Sequence, residues 1–169
     1  MSTNIMLAHT LEQIGVHFVT MPVDEPIEST LPPDTLLCGL ASSGEARMRL
    51  SLIPLFLSHP QYAGHVMDVL NQLTPDQQQL LSCYYTAARL LQQKYHAELS
   101  GLFGDSAPLP ALFDEALGVD GVELHNGRLQ QLAERQAQLS GKSINWYGTY
   151  EHAYTRMTRH ERRRREWQV

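Results

Sequence analysis

The sequence predicts an all-α fold: an irregular multi-helix bundle of about six or seven helices around a long central helix, with at most a marginal short β element. Leu dominates the apolar residues of a chain that is 43% hydrophobic. Val and Ile, whose branched side chains favour strands, are sparse. Several stretches repeat apolar residues at helical spacing, and Gly, Pro and Ser separate these stretches. We therefore expect amphipathic helices that share one core.

The N-terminal part of the chain predicts a short helix, an extended segment and a connector. Residues 4–14 repeat apolar residues along a helical face, and Gly15 ends that helix. Residues 16–20 are the best strand candidate. Because a lone strand leaves its backbone groups unpaired, we expect it to pair with residues 144–147 or with a second chain. Four prolines in residues 21–33 then predict an acidic surface connector.

The middle of the chain predicts helices that build the core. A short helix over residues 34–41 precedes an apolar helix over residues 45–57, whose large side chains cover most of its circumference. Pro54 removes one internal hydrogen bond and should kink this second helix. Similar patterns predict helices over residues 61–73 and 127–140.

The strongest helix signal is the run Thr74-Pro75-Asp76. Thr74 can cap a helix, Pro75 suits the first helical position, and Asp76 places a carboxylate where the helix dipole favours an anion. Apolar residues then continue at helical spacing until Gly101. We expect one helix from Pro75 to Ser100 that forms the spine of the fold.

The last helix should begin near Thr149 and lose its apolar stripe beyond Arg159. Residues 162–165 are all Arg and cover every direction of a helix. Such an end should not pack on the rest of the chain through a single face. We therefore expect a single helical domain over residues 1–155 and an Arg-rich helical extension over residues 156–169.

The two predicted parts of the chain, residues 1–155 and residues 156–169, carry opposite net charge. The formal net charge is −5, and residues 156–169 contain six Arg and two Glu, a net charge of +4, so the remaining residues carry −9. An acidic body disfavours nucleic acid over the whole surface, because phosphate binding depends on cation density. Any contact with nucleic acid should concentrate at the C-terminus.

The sequence points to a cytoplasmic protein. Its apolar runs are far shorter than the roughly 20 residues of a membrane-spanning helix, and its N-terminal segment lacks the positive charge of a secretory signal. We expect no membrane partner. Cys38 and Cys83 lie far apart in the sequence, and we interpret them as buried thiols in a reducing compartment, with a disulfide or a reactive thiol as the alternative.

Motifs for metals and cofactors are absent. The eight histidines form no H-x-x-x-H pair, and no C-x-x-C occurs. Residues 140–143 read Ser-Gly-Lys-Ser, like the end of a phosphate-binding loop, but Gln136 stands where that loop requires Gly. We therefore expect neither a metal site nor a cofactor.

Arg89 and His96 are seven residues apart on the predicted spine, so they should share one face. A cation beside an imidazole can stabilise developing negative charge while the imidazole moves a proton. The stretch from Arg89 to His96 resembles the Arg-x(4–6)-His signature of HEPN domains, which are small helical ribonucleases often partnered with nucleotidyltransferases. The resemblance covers eight residues and implies a catalytic role for Arg89 and His96, although Leu90 stands where a polar residue usually follows the Arg.

The C-terminal segment supplies a second set of candidate binding residues. Arg can bind carboxylates or phosphates in a forked geometry, and a Trp can stack on a base. The alternatives are a solvated helix end that pairs with an acidic patch, a partner's acidic groove, or a nucleic acid. The candidates are Arg156, Arg159, Arg162, Arg163, Arg164, Arg165 and Trp167.

We favour a non-enzymatic interaction or regulatory protein that acts through a protein partner or through self-association. This hypothesis is based on the absence of a catalytic motif and on the contrast in charge between the acidic body and the basic C-terminal segment. One alternative is a HEPN-like ribonuclease or a toxin–antitoxin-type component that uses Arg89 and His96. The other is nucleic-acid binding through the Arg-rich C-terminus.

Overall fold

The computed structural model describes residues 3–17, 30–121 and 125–167. Within these ranges the regular secondary structure is entirely helical, which confirms the all-α class, although the helices are more numerous and shorter than predicted. One 3₁₀ helix, Pro60–His65, lies between the fourth and fifth α-helices. The α-helices are α1 (Thr3–Gln13), α2 (Pro33–Ser42), α3 (Ala46–Leu50), α4 (Leu52–Ser58), α5 (Val66–Leu70), α6 (Pro75–Lys94), α7 (His96–Phe103), α8 (Asp114–Leu117), α9 (His125–Ser140) and α10 (Trp146–Trp167).

The spine of the fold is α6, which packs most extensively against α4 and α9. Tyr85 lies at its centre and is fully buried. The rings of Phe56 and Phe113 meet the Tyr85 ring nearly at right angles, with centroids 5.0 Å and 5.8 Å away. The Tyr85 hydroxyl donates to the carbonyl of Pro110 at 2.6 Å. Since edge-to-face pairs contribute about 0.5–1.5 kcal/mol each beyond burial, this cluster joins α4, α6 and the segment before α8.

The start of α6 is the one that the sequence predicts. The Thr74 hydroxyl accepts the backbone N–H of Gln77 at 3.4 Å, and the Gln77 side chain accepts the backbone N–H of Thr74 at 3.1 Å. This reciprocal capping box satisfies two N–H groups that a helix start otherwise leaves unpaired. Pro75 occupies the first helical position, where its missing N–H costs nothing.

The end of α6 differs from the prediction, because the helix stops at Lys94 and α7 begins at His96. Tyr95 leaves helical geometry with φ −111° and ψ 29°. Its ring stacks on Tyr154 of α10, with centroids 4.0 Å apart and planes at 9°, and its hydroxyl donates to Glu151 at 2.6 Å. The single helix predicted as far as Ser100 is therefore wrong, because contacts with α10 turn the chain at Tyr95.

The apolar helix predicted over residues 45–57 is also interrupted, but at Ser51 rather than at Pro54. The Ser51 hydroxyl donates to the carbonyl of Met48 at 2.5 Å. The restart at Leu52 places Pro54 in the first turn of α4, where its lack of an N–H removes no helical hydrogen bond. Residues 61–73 likewise form the 3₁₀ helix and α5 instead of one helix.

The predicted strand is not seen where the structure describes it. Gly15 has φ +85°, and the buried Val16 donates its backbone N–H to Leu11 at 2.8 Å. This geometry is typical of a helix C-terminus closed by an apolar contact, which explains why Val16 is buried. Residues 18–20 lie outside the described ranges. The suggested partner, residues 144–147, instead contains the start of α10.

The last helix, α10, begins at Trp146, before the predicted start near Thr149. The Asn145 side chain accepts the backbone N–H of Gly148 at 2.9 Å and so caps the helix. The helix then continues unbroken across residues 155 and 156, and Thr158 and Glu161 beyond that point are buried. The division into a domain over residues 1–155 and an extension stays a prediction.

Among the residues that the structure describes, none of the helices combines the length and the apolar character that crossing a bilayer requires.

Thr74→Ala should lower the free energy of unfolding by about 1 kcal/mol, because it leaves an N–H at the start of α6 unpaired. Urea denaturation measures the change. Thr35→Ala is the control, since Thr35 is exposed and no side chain caps α2. Equal effects of the two substitutions would contradict the role of the capping box.

Candidate functional site

The outer side of α10 carries a row of basic side chains. His152, Arg156, Arg159 and Arg163 are spaced three or four residues apart, which places them on one side of the helix. We call these four residues the basic face. Together with His17, Thr155 and His160 they line an open groove of about 450 Å³. No acidic side chain of the described ranges lines this groove, so its chemistry suits an anion.

Two histidines form one wall of the groove. The rings of His17 and His160 lie 4.8 Å apart with an interplanar angle of 32°. Partial burial, then His17 and the cations Arg164 and Arg163, hold the pKa of His160 below its usual value, against an opposing effect of Glu161. A histidine with a lowered pKa is neutral near pH 7. His160 therefore adds little positive charge to the groove at neutral pH.

Arg162, Arg164 and Arg165 have partners within the described part of the protein. Arg162 forms an ion pair with Glu98 of α7. Arg165 donates to the carbonyl of Gly101 at 3.0 Å and to that of Leu102. Arg164 donates to Glu161 at 2.7 Å. Because cations are favourable near the C-terminus of a helix, Arg165 suits its position beside the last turns of α7.

The expectation that residues 162–165 cannot pack on the rest of the chain through one face is therefore wrong. The helix α7 contacts α10, so Arg162 and Arg165 find partners there. Glu161, which is 5% exposed, joins them from α10 itself and contacts both Arg164 and Arg165. Partners on α7 and on α10 together accommodate an Arg-rich segment that has no apolar stripe.

Arg159 and Arg163 differ from those three arginines. Within the described ranges neither side chain forms a hydrogen bond or an ion pair, and both are exposed in the groove. Trp167, four residues after Arg163, is 88% exposed and falls near the same side of the helix. Large exposed aromatic side chains beside Arg are typical of residues that dominate binding at interfaces. The face therefore offers cations and an apolar anchor together.

The histidines of this groove were not predicted as functional residues. In the sequence, His152 and His160 look like scattered surface histidines. The signal that identifies His152 is its helical spacing to Arg156, Arg159 and Arg163. His17 has no such signal, because only the tertiary fold brings it against His160.

The structure places Arg89 and His96 on different helices. Arg89 donates to Asp114 at 2.6 Å, and the two side chains are 13% and 7% exposed. Asp114 therefore neutralises the charge that a ribonuclease would need. His96 is exposed at the start of α7 and lines a small groove of about 140 Å³ beside Leu99 and Phe103. Among the described residues no hydrogen bond or ion pair joins Arg89 to His96, and their catalytic role stays a prediction.

The residue types that bind metals do not come together in the described part of the chain. Over the ranges 3–17, 30–121 and 125–167, His, Cys, Asp and Glu side chains form no cluster of three or more that could hold a metal ion. Cys38 and Cys83 are both free thiols, and burial raises the pKa of Cys83 to about 12. A thiol with such a raised pKa is a poor nucleophile at neutral pH.

No protein-family model, no curated protein and no solved structure matches this chain. The surface chemistry of the described residues is therefore the basis on which function can be inferred.

Asp114→Asn should lower the free energy of unfolding by about 3 kcal/mol, because it leaves the Arg89 guanidinium buried without a counter-charge. The Arg89 Nε and the Asp114 Oδ1 are already buried without partners, so no other polar group of the described residues compensates for the lost charge. Urea denaturation measures the loss, with Asp105→Asn in an exposed loop as the control. A change below about 0.5 kcal/mol would show that the pair is not important for stability.

Glu161→Gln should destabilise the protein at pH 7 and lose this effect as the pH falls. The hydrogen bond from Arg164, more than offsetting burial, holds the pKa of Glu161 below its usual value. A carboxylate with a depressed pKa stabilises the fold above its unfolded pKa of about 4.3, and the contribution disappears as the pH falls through the folded pKa.

The measurement is the unfolding free energy of both proteins between pH 7 and pH 3. Glu166→Gln is the matched control, since it removes the same charge from an exposed position on the same helix end. A difference between Glu161→Gln and the unsubstituted protein that stays constant with pH would contradict the assignment.

Proposed function

We propose that this chain is a non-enzymatic interaction protein that binds an acidic segment of a partner protein through the basic face of α10. The supporting observation is the division of the arginines. Arg162, Arg164 and Arg165 are exposed but have partners within the protein, whereas Arg159 and Arg163 lie in an open groove without a hydrogen bond or an ion pair in the described residues. Guanidinium groups of this kind suit bidentate binding of carboxylates.

The dimensions of the face favour a short peptide element. His152 and Arg163 are eleven residues apart on one helix, which corresponds to roughly 16 Å along its axis. That length matches two or three turns of a partner helix or a few extended residues. Trp167 at the end of the row adds a large exposed apolar surface. An apolar side chain of a protein partner can pack on this surface while its carboxylates bind the arginines.

An acidic protein is favoured over nucleic acid by the charge of the whole chain. Residues 1–155 carry a net charge of −9, which repels a phosphate backbone that extends beyond the groove. Two unpaired arginines also give few of the phosphate contacts on which nucleic-acid affinity depends. A compact acidic segment can bind within the groove and avoid the acidic surface elsewhere.

The chemistry at Arg89 also favours interaction over catalysis. Its guanidinium is held by Asp114 at 2.6 Å and is largely buried. A catalytic cation must contact the substrate, and this one would have to break a buried ion pair first, which costs several kcal/mol. The ribonuclease hypothesis therefore has less support than binding through α10.

The test compares three proteins in affinity capture from the lysate of the source organism, at low and high salt, with and without nuclease. They are the unsubstituted chain, Arg159→Ala/Arg163→Ala, and the control Arg47→Ala/Arg135→Ala, which removes two exposed cations elsewhere. We expect the chain and the control to retain the same protein. The Arg159→Ala/Arg163→Ala variant and high salt should each reduce capture at least about tenfold.

The captured protein is then purified and titrated directly, with circular dichroism to show that each variant is folded. Loss of capture after nuclease treatment would indicate that nucleic acid is the ligand. Equal capture by the two double variants would place the interface on another surface. A chain that elutes alone and monomeric under all conditions would disprove the proposal.

A further inference from the structure

A second groove lies on a different part of the surface and shares no lining residue with the basic face. It has a volume of about 460 Å³ and is formed where α3, α6, α9 and the start of α10 meet. Small-molecule sites typically have volumes of about 300–1,000 Å³ and combine apolar walls with a few polar groups. The volume of this groove lies in that range, and both apolar and polar side chains line it.

The floor of the groove is aromatic and aliphatic. The rings of Tyr84 and Trp146 lie 6.4 Å apart at 60°, and both residues are less than a tenth exposed. Leu80 and Leu139 flank them and are partly buried. Two rings at this separation, beside leucine side chains, offer stacking and edge contacts to a flat apolar group.

Two cations stand at the same groove. Arg49 of α3 donates from Nη1 to the carbonyl of Ser43 at 2.8 Å, which restricts its guanidinium while leaving its other N–H groups for a ligand. Lys142, between α9 and α10, is exposed. A cation that is already positioned loses less conformational entropy when it binds an anion.

One acid limits the charge of the ligand. Asp76 also lines the groove, so that two cations and one carboxylate give it a net charge of +1. This balance suits one negative charge and disfavours a polyphosphate, whose further charges would be repelled by Asp76.

A buried amide completes the lining. Gln136 is 4% exposed, and its carbonyl accepts the Tyr150 hydroxyl. Its NH₂ is therefore the part of the amide left to donate to a ligand.

We propose that this groove binds a small aromatic monocarboxylate, with its ring against Tyr84 and Trp146 and its carboxylate at Arg49 and Lys142. The proposal is independent of partner binding through α10, because the two grooves have no residue in common.

The test uses the full chain with 1-naphthoate as the probe. The control ligand is 1-naphthamide, which has the same ring system but no negative charge. The readout is the indole N–H resonance of Trp146, which is identified because it remains in a Trp167→Phe variant of this two-Trp chain. We expect saturable shifts of this resonance with naphthoate, with a dissociation constant at or below about 1 mM. Naphthamide should bind at least about tenfold more weakly, and ADP should not compete.

Arg49→Gln and Lys142→Gln should each weaken naphthoate binding several-fold. Arg47→Gln, on the same helix as Arg49, is the control and should leave naphthoate binding unchanged. The Lys142→Gln variant should fold normally, because the Lys142 side chain is exposed, so its weaker binding would not result from misfolding. Equal affinity for naphthoate and naphthamide, unchanged affinity in both groove variants, competition by ADP, or no saturable shift of Trp146 would each overturn the proposal.

Discussion

The contact between the Lys94–Tyr95 junction and α10 is the interaction on which the rest of the structure depends. Tyr95 stacks on Tyr154 and donates to Glu151, while Lys94 forms an ion pair with Glu151. Hydrogen bonds to Glu151 and to neighbouring tyrosines raise the pKa of Lys94 although burial opposes them, so the ammonium group stays charged at neutral pH. These contacts end α6 and orient α7 beneath α10.

The position of α7 then helps to decide which of the exposed arginines have partners within the protein. Glu98 and the last carbonyls of α7 bind Arg162 and Arg165, while Glu161 is shared between two arginines of its own helix. Glu98 and Glu161 reduce the repulsion among neighbouring cations, because each carboxylate pairs with arginines of the segment. The segment that carries a net charge of +4 can therefore stay helical, and Arg159 and Arg163, which form no ion pair in the described residues, lie on one side of it.

Both proposed sites include α10, at opposite ends. Trp146 lies in the first turn beside the groove with Arg49, and Arg163 lies near the end on the basic face. Tyr150 connects the helix to α9 through Gln136 and is fully buried. The helix between the two sites is thus held by packing along its length, so that each site rests on a rigid element rather than on a loop.

The sequence by itself determined the helical class, the start of α6, and the contrast between an acidic chain and its basic C-terminal segment. Composition and net charge are sums over residues, and the Thr74-Pro75-Asp76 cap depends only on neighbours in the sequence. The tertiary structure alone decided the break at Tyr95, the ion pair that removes Arg89 from the surface, and the two grooves. The partners in these contacts are distant in the sequence: Tyr95 and Glu151 are 56 residues apart, and Arg162 and Glu98 are 64 apart. No local pattern encodes such pairs, because their geometry exists only after the helices have packed.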